Sequence, residues 1–213
     1  MLSLYYHPLS SFAWKVLIAL YEKEVPFEPR IVDFADPHSA AEFRSIWPMA
    51  KMPVLVDHAR NCTIPETSII IEYLEMHYPG VELIPEDRDA ALQVRLSDRF
   101  YDLYVQQPMQ KIVTDRIRPE GTGDSHGVEQ ARASLRTAYD FLERDMESRD
   151  WAAGYRFGMA DCAAAPGLFY ANKVEPFEMS HPNLDAYYRR LLIRPSFARV
   201  LVEAEPYFSM FPG

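Results

Sequence analysis

Cysteine, glycine, basic charge and long apolar runs are all in short supply in this chain, and each shortage excludes something. Only 2 of the 213 residues are cysteine, Cys62 and Cys162, and they lie far apart. Two distant thiols make neither a disulfide framework nor a zinc site, and they suit a reducing compartment, so a cytoplasmic location is expected. Glycine numbers 8 against 17 prolines, and no segment reads GxGxxG or GxxxxGK, which argues against a phosphate-cradling loop. Lysine and arginine total 22 against 31 acidic residues, a net charge of −9. Nucleic acid and anionic membrane surfaces both reward a basic face, so neither is the expected partner. The longest nearly apolar stretch, Cys162 to Ala171, is interrupted by Pro166 and Gly167 and falls short of the roughly 20 residues of a membrane span. Met1 to Leu20 has no basic start, and Lys15 breaks its apolar run, so no signal peptide is expected. The 6 histidines show no metal-ligand spacing, and no metal is implied.

What remains is ordinary for a globular protein: 48% hydrophobic, 25% charged and 13% aromatic. A chain of this size makes one large domain or two compact ones and buries about 70% of the surface its unfolded form exposes.

Two periodicities divide it. Within residues 1–78, strand and helix signals alternate. Leu2–Tyr6 is a β-prone run stopped by Pro8, and Ser11–Glu24 places Phe12, Val16, Ala19 and Leu20 at helical spacing until Pro26. Phe27–Phe34 alternates as a second strand, and Ala40–Ile46 is a weak helix without a strong cap. Pro53–Asp57 and Cys62–Ile64 are strands joined by the polar turn His58–Asn61, a hairpin. Thr67–His77 is a helix with Ile70, Ile71 and Leu74 on one stripe. Residues 79–89, with Pro79, Gly80, Pro85 and a closing charge run, read as a linker. Residues 90–213 are helical almost throughout: Ala90–Ile117, bent near Pro108, then Val128–Ser148, Met159–Tyr170, Pro182–Leu192 and Pro195–Glu203.

The order β-α-β-α-β-β-α resembles a thioredoxin-like domain, in which the reactive group sits where the first strand hands over to the first helix. Here that segment is Tyr6-His7-Pro8-Leu9-Ser10-Ser11-Phe12-Ala13-Trp14, with no cysteine, so dithiol redox chemistry is excluded. Two hydroxyls remain at a helix N-terminus, where free N–H groups and the dipole favour an anion. Magnitudes show what they could do. A thiol of pKa 8.5 must drop by about 2 units, roughly 2.7 kcal/mol, to be mostly thiolate at neutral pH. A hydrogen bond to a charged group supplies roughly 1.5–3 kcal/mol and a helix N-terminus roughly 0.3–1. Together they suffice to activate a thiol brought in by a ligand. The plainer reading of Ser10 and Ser11 is that they cap the helix.

Two further segments bear on the choice. Pro53 opens a strand, and a cis bond before it would turn the Met52 N–H and C=O outward to pair with a peptide-like ligand. Glu66-Thr67-Ser68 starts a helix with a carboxylate and hydroxyls, a pattern that suits an α-amino-acid group: the helix end and Thr67 for its carboxylate, Glu66 for its ammonium. An ordinary N-cap is the alternative.

Taken together, these segments resemble the cytosolic glutathione transferase family over nearly the whole chain. Pro53-Val54-Leu55, the helix start Glu66 to Leu74, Ala160-Asp161, and His181-Pro182-Asn183-Leu184 with Arg194-Pro195-Ser196 all match its pattern in order and spacing. The resemblance implies an α/β thioredoxin-like N-terminal domain followed by an all-α C-terminal helical domain. It implies Ser10 as the group that activates glutathione, with Ser11, or Tyr5 or Tyr6 near the tyrosine that other classes use, as the alternatives. It also implies glutathione contacts from Met52, Pro53, Glu66 and Thr67, with Lys51 and His38 at positions that reach the glycyl carboxylate. Lys51 has a second reading as a solvated surface lysine. Asp161 is expected to be a structural helix-start carboxylate, and a homodimer is expected from the family.

Departures from the pattern are specific. Trp47 and Ala50 replace the usual asparagine and glycine around Pro48, and Gly158 replaces the usual serine or threonine cap before Asp161. Ser10-Ser11-Phe12-Ala13-Trp14 is similar to the Ser-Ser-Cys-x-Trp stretch of the maleylacetoacetate isomerase class, but Phe12 takes the cysteine position, which weighs against isomerase activity. The second substrate, a small hydrophobic electrophile, is expected between the domains against the first long helix, where Phe100, Tyr101, Tyr104, Val105 and Met109 offer aromatic and soft apolar surface, with Tyr101, Tyr104 and Met109 as the expected pocket. The expected function is a glutathione transferase. The alternatives are a non-catalytic binding or assembly module on the same fold, or a glutathione-dependent isomerase or dehalogenase.

Overall fold

A computed structural model describes residues 1–212. Its first part is a four-stranded sheet in the order β2-β1-β3-β4, with β1 (Leu2–Tyr6), β2 (Phe27–Ile31), β3 (Val54–Asp57) and β4 (Cys62–Pro65). β1 runs parallel to β2 and antiparallel to β3; β3 and β4 form an antiparallel hairpin that pairs Asp57 with Cys62 across the turn. The parallel pair needs a crossover, and α1 (Ser11–Glu22) provides it.

The period of two along β1 splits the domain's packing. Leu2, Leu4 and Tyr6 join the main core with α1 and α3 (Thr67–His77), while Tyr5 stacks on Phe43 of α2 (Pro37–Ile46) at 6.2 Å between ring centres. A small separate cluster of Val32, Phe43 and Val54 sits beneath α2. That helix starts three residues earlier than its apolar pattern suggests, because Asp36 caps it by accepting from the His38 and Ser39 N–H groups and Pro37 fills the first position.

After α3 the chain runs without regular structure to Asp87, which caps α4 (Arg88–Phe100), so that the helix starts two residues inside the expected linker. Then come a wider π-helical turn over Tyr101–Gln106, α5 (Gln107–Arg116), α6 (Ser125–Asp145), α7 (Met159–Val174), α8 (Pro182–Leu192), α9 (Pro195–Ala204) and a 3-10 turn over Glu205–Met210. The helix does not bend apart at Pro108. Instead Gln107 N–H closes a π turn onto the Asp102 carbonyl, and Pro108 enters the first turn of α5. Pro108 has no N–H to give Tyr104, four residues before it, and the wider turn accommodates that loss.

α1 joins the two parts. All of its residues from Ala13 to Leu20 are buried, between the sheet and α7. Trp14 lies against Tyr170 (4.8 Å) and Phe169 (5.2 Å) of α7, and its indole N–H donates to the Pro8 carbonyl. At the C-terminal end of α1, Glu22 takes a two-pronged hydrogen bond from Arg194 (2.8 and 2.7 Å). The Tyr170 hydroxyl donates to the Leu9 carbonyl, fixing the β1–α1 loop from the helical side.

Candidate functional site

The cleft between the two parts holds a cavity of about 580 Å³, and the segments singled out in the sequence converge on it. Lys51, Met52, Pro53, Glu66 and Thr67 line one side. The Met52–Pro53 peptide is cis, and Pro53 leads directly into β3. Glu66 occupies the N-cap position of α3 but makes no capping bond with its side chain, so the carboxylate stays exposed and free. Its backbone sits at φ +69°, a conformation costly for any residue with a Cβ, of order 1–3 kcal/mol. Such strain persists where the surrounding structure needs the residue held in one pose, commonly at a ligand site. The ordinary N-cap reading of this segment is therefore not what the structure shows.

Ser10 caps α1. Its Oγ accepts from the Ala13 N–H at 3.2 Å, which leaves the hydroxyl proton to donate elsewhere. The capping and donor readings of Ser10 are thus compatible on one oxygen. Ser10 is half-buried beside the cavity-lining Phe12 but does not itself line the cavity. Ser11 is buried in the first turn. Tyr5 belongs to the α2 cluster, and Tyr6 lines a different cavity, of about 600 Å³, with Tyr21 and Arg199. Burial, reinforced by Glu203 and Tyr207, raises the Tyr6 phenol above its usual range. His38 is exposed near the start of α2 and does not line the central cavity.

The opposite wall differs from the aromatic stripe expected there. Tyr101, Val105 and Met109 are buried in the helical core, and Tyr104 is exposed against Phe100, 5.1 Å between ring centres. Neither Tyr101, Tyr104 nor Met109 lines the cavity. The wall is instead Arg99, Asp102, Gln107 and Gln110, with Phe12, Trp47 and Met159 as its apolar surfaces. A single helical period cannot locate these residues, because the π turn between Arg99 and Gln107 rotates the two flanking helices relative to one another.

Beneath this wall lies a cluster that the sequence announced only as a lysine inside an apolar run. Lys15 of α1 is fully buried, with Nζ 2.6 Å from Asp98 Oδ1 and 2.8 Å from Asp102 Oδ2. It also donates to Ser68 Oγ at 2.9 Å, and Ser68 donates in turn to Asp98 Oδ2 at 2.6 Å. Arg99 reaches Asp102 from the cavity side at 2.9 Å. Burial raises the Asp102 carboxyl above its ordinary range; Lys15 opposes that shift and neighbouring Asp98 adds to it.

Neither cysteine lines the cavity: Cys162 is buried in α7, and Cys62 sits in the hairpin with its thiol donating to the Arg60 carbonyl. Asp161 is wholly buried and accepts from the Ala152 and Gly158 N–H groups and from the Tyr187 hydroxyl. It organises the start of α7.

Comparison with known proteins agrees with this architecture. Residues 4–82 match the model of the glutathione S-transferase N-terminal domain, and residues 125–190 that of the C-terminal domain. The chain belongs to the glutathione S-transferase family. It is 30% identical to the FtsZ-localized protein A of Caulobacter vibrioides, covering 96% of this chain and 92% of that one. It is 27% identical to a probable maleylacetoacetate isomerase of Vibrio cholerae, covering 96% and 97%. Among solved structures, a glutathione S-transferase from Methylobacillus flagellatus with GSH bound superposes with a TM-score of 0.85 at 28% identity, over 94% of this chain and 98% of that one.

Proposed function

We propose that the protein is a glutathione transferase that activates the thiol of bound glutathione for attack on a small electrophile. The observation that carries this reading is the convergence on one cavity of the Met52–Pro53 turn, the free Glu66 carboxylate in its strained pose, and the N-terminus of α3 at Thr67. Glutathione would lie extended across them. The Met52 backbone pairs with the cysteinyl amide, Thr67 and the α3 N–H groups take the γ-glutamyl carboxylate, and Glu66 takes the ammonium. Lys51 takes the glycyl carboxylate; His38, on α2, lies away from the cavity lining. The thiol then points toward the start of α1, where the Ser10 O–H donates to the thiolate. The sulfur lone pair forms the new bond to the electrophilic carbon as a leaving group departs with its electrons.

The second substrate meets Arg99, Gln107 and Gln110 as well as Phe12 and Met159, so it is a small molecule with an apolar body and at least one hydrogen-bond acceptor. The working protein is a cytoplasmic homodimer, for which α3 and α4 offer an exposed apolar face.

The test is titration of the bound thiolate by its ultraviolet absorbance in the wild type and in Ser10→Ala. A bound-thiol pKa below about 7 is expected, rising by about one unit or more in the variant, in line with one lost charge-assisted hydrogen bond. An unchanged pKa would move the donor role away from Ser10. Absence of glutathione binding would sink the enzyme reading and favour the second one, a non-catalytic assembly module. That alternative is supported by the extent of the match to FtsZ-localized protein A.

A further inference from the structure

Lys15 is the most completely enclosed cation in the molecule's centre, and its partners sort by what they carry. Ser68 belongs to α3, one residue after Thr67. Asp98 lies on α4 and Asp102 on the π turn that follows, where Asp102 is also held by the cavity-wall residue Arg99. Lys15 itself sits five positions after Ser10, on the helix that Ser10 caps. One ammonium group therefore ties α1 to the start of α3 and to the wall formed by α4 and the π turn, three of the segments around the cavity.

Stability alone does not account for a charge in that position. Moving an ammonium and two carboxylates out of water costs several kcal/mol per ion, and replacing such a cluster with apolar side chains of equal volume is often neutral or stabilising. A second polar join between the two parts, Glu22 with Arg194 and Ser196, is partly open to solvent and stands at the far end of α1, away from the cavity. The central cluster differs in that Ser68, Asp98 and Asp102 line the cavity; the Glu72–Arg95 pair between α3 and α4 lines it too, but only the cluster ties both helices to α1.

We infer that Lys15 is a positioning residue for glutathione: through Ser68 and Asp98 it sets the start of α3, and with it Glu66 and Thr67, at a fixed distance from the α4 wall. The inference rests on the glutathione reading given above. Its consequence is a division of labour along α1. Ser10 acts on the thiol, while Lys15 acts on the γ-glutamyl end without touching the ligand.

The experiment compares Lys15→Met, Lys15→Arg and Arg194→Gln by calorimetric glutathione binding, steady-state kinetics and thermal unfolding. For Lys15→Met, Kd and KM for glutathione should rise about tenfold while kcat stays within about twofold. Lys15→Arg should restore most of the affinity, because the charge and its two carboxylate partners remain. Arg194→Gln breaks the remote join at the far end of α1 and should lower Tm without changing Kd. Ser68→Ala keeps every charge and cuts only the link to α3; it should raise Kd several-fold, and it serves where Lys15→Met fails to fold. Unchanged Kd in Ser68→Ala, or a Kd that simply follows Tm across the variants, overturns the inference while leaving the glutathione reading intact. A wild type that binds no glutathione overturns both.

Discussion

Single residues in this protein often answer to two demands, and the sequence shows only one of them. Ser10 reads as a cap, and it is one, yet the same oxygen keeps a proton to donate. Asp57 reads as the last residue of a strand before a polar turn, which located the hairpin correctly. Nothing in the pattern announced that its carboxylate is fully buried and accepts four close hydrogen bonds, from the Tyr73 and Tyr78 hydroxyls at 2.8 and 2.6 Å and from the Ala59 and Arg60 backbone N–H groups, with the Arg60 guanidinium beside them at 3.5 Å. Those partners come from α3 and the turn, and their meeting is a tertiary fact. Burial by itself would raise this carboxyl, but the four hydrogen bonds outweigh it and hold Asp57 well below the usual carboxylate range. A carboxyl depressed in the folded state stabilises the protein above its unfolded pKa, near 4, and loses that contribution as pH falls toward the folded value. Asp57→Asn should therefore cost about 3 kcal/mol at pH 7, the scale of one or two lost charge-assisted bonds. Urea unfolding at pH 7 and at pH 3 should show the gap between wild type and variant narrowing in acid. A gap that stays constant would mean that the charge on Asp57 contributes nothing.

At the scale of elements, the first seven were legible in order, because most carry a period of their own between prolines; the exception is α2, whose weak apolar pattern hid the Asp36 cap and the start at Pro37. The fourth helix was not legible in the detail that matters. Its apolar residues look like one stripe at 3.6 residues per turn, but the π turn at Tyr101–Gln106 shifts the phase. Tyr101, Val105 and Met109 then turn into the core, and Arg99, Gln107 and Gln110 face the cleft. The start of α7 is a second case. Gly158 departs from the serine or threonine usual in the family, and the structure supplies the reason. A Cβ on Gly158 would stand 2.8 Å from the Leu83 carbonyl oxygen, because the linker backbone presses against this turn and accepts from the Met159 N–H. Asp161 completes the turn alone, its carboxyl pushed up to about 6 by burial against the pull of its hydrogen-bond donors. Gly158→Ser, although it restores the familiar capping residue, should thus destabilise the protein by about 1–3 kcal/mol, the usual cost of forcing atoms into a packed site. Denaturant unfolding decides it: greater stability in the variant would show that the linker yields more easily than its hydrogen bond to Met159 implies.

For the whole molecule, the two-part plan was legible in the change of periodicity and the cleft between the parts in the family resemblance, whereas the apolar face proposed to meet a second copy left no mark in any local pattern. It emerges only when α3 and α4 are side by side. Leu92 and Leu96, four residues apart on α4, are exposed on either side of Arg95, and Ile69 and Met76 of α3 are exposed on either side of Glu72. Between the two helices Glu72 and Arg95 form a paired bridge at 2.7 and 2.9 Å, which locks their spacing. Four large apolar side chains on one locked pair of helices are more than scattered surface exposure explains, and a two-fold partner would cover the same patch on both copies. The prediction is a sedimenting species of twice the 24.6 kDa chain mass at micromolar concentration. Leu92→Glu combined with Leu96→Glu places four like charges in the shared interface and should convert that species to monomer with the fold intact by circular dichroism. The pair faces water in the isolated chain, so little monomer stability is at stake. A wild type that sediments as a single chain, or a double variant that stays dimeric, would show that this face is not where the copies meet.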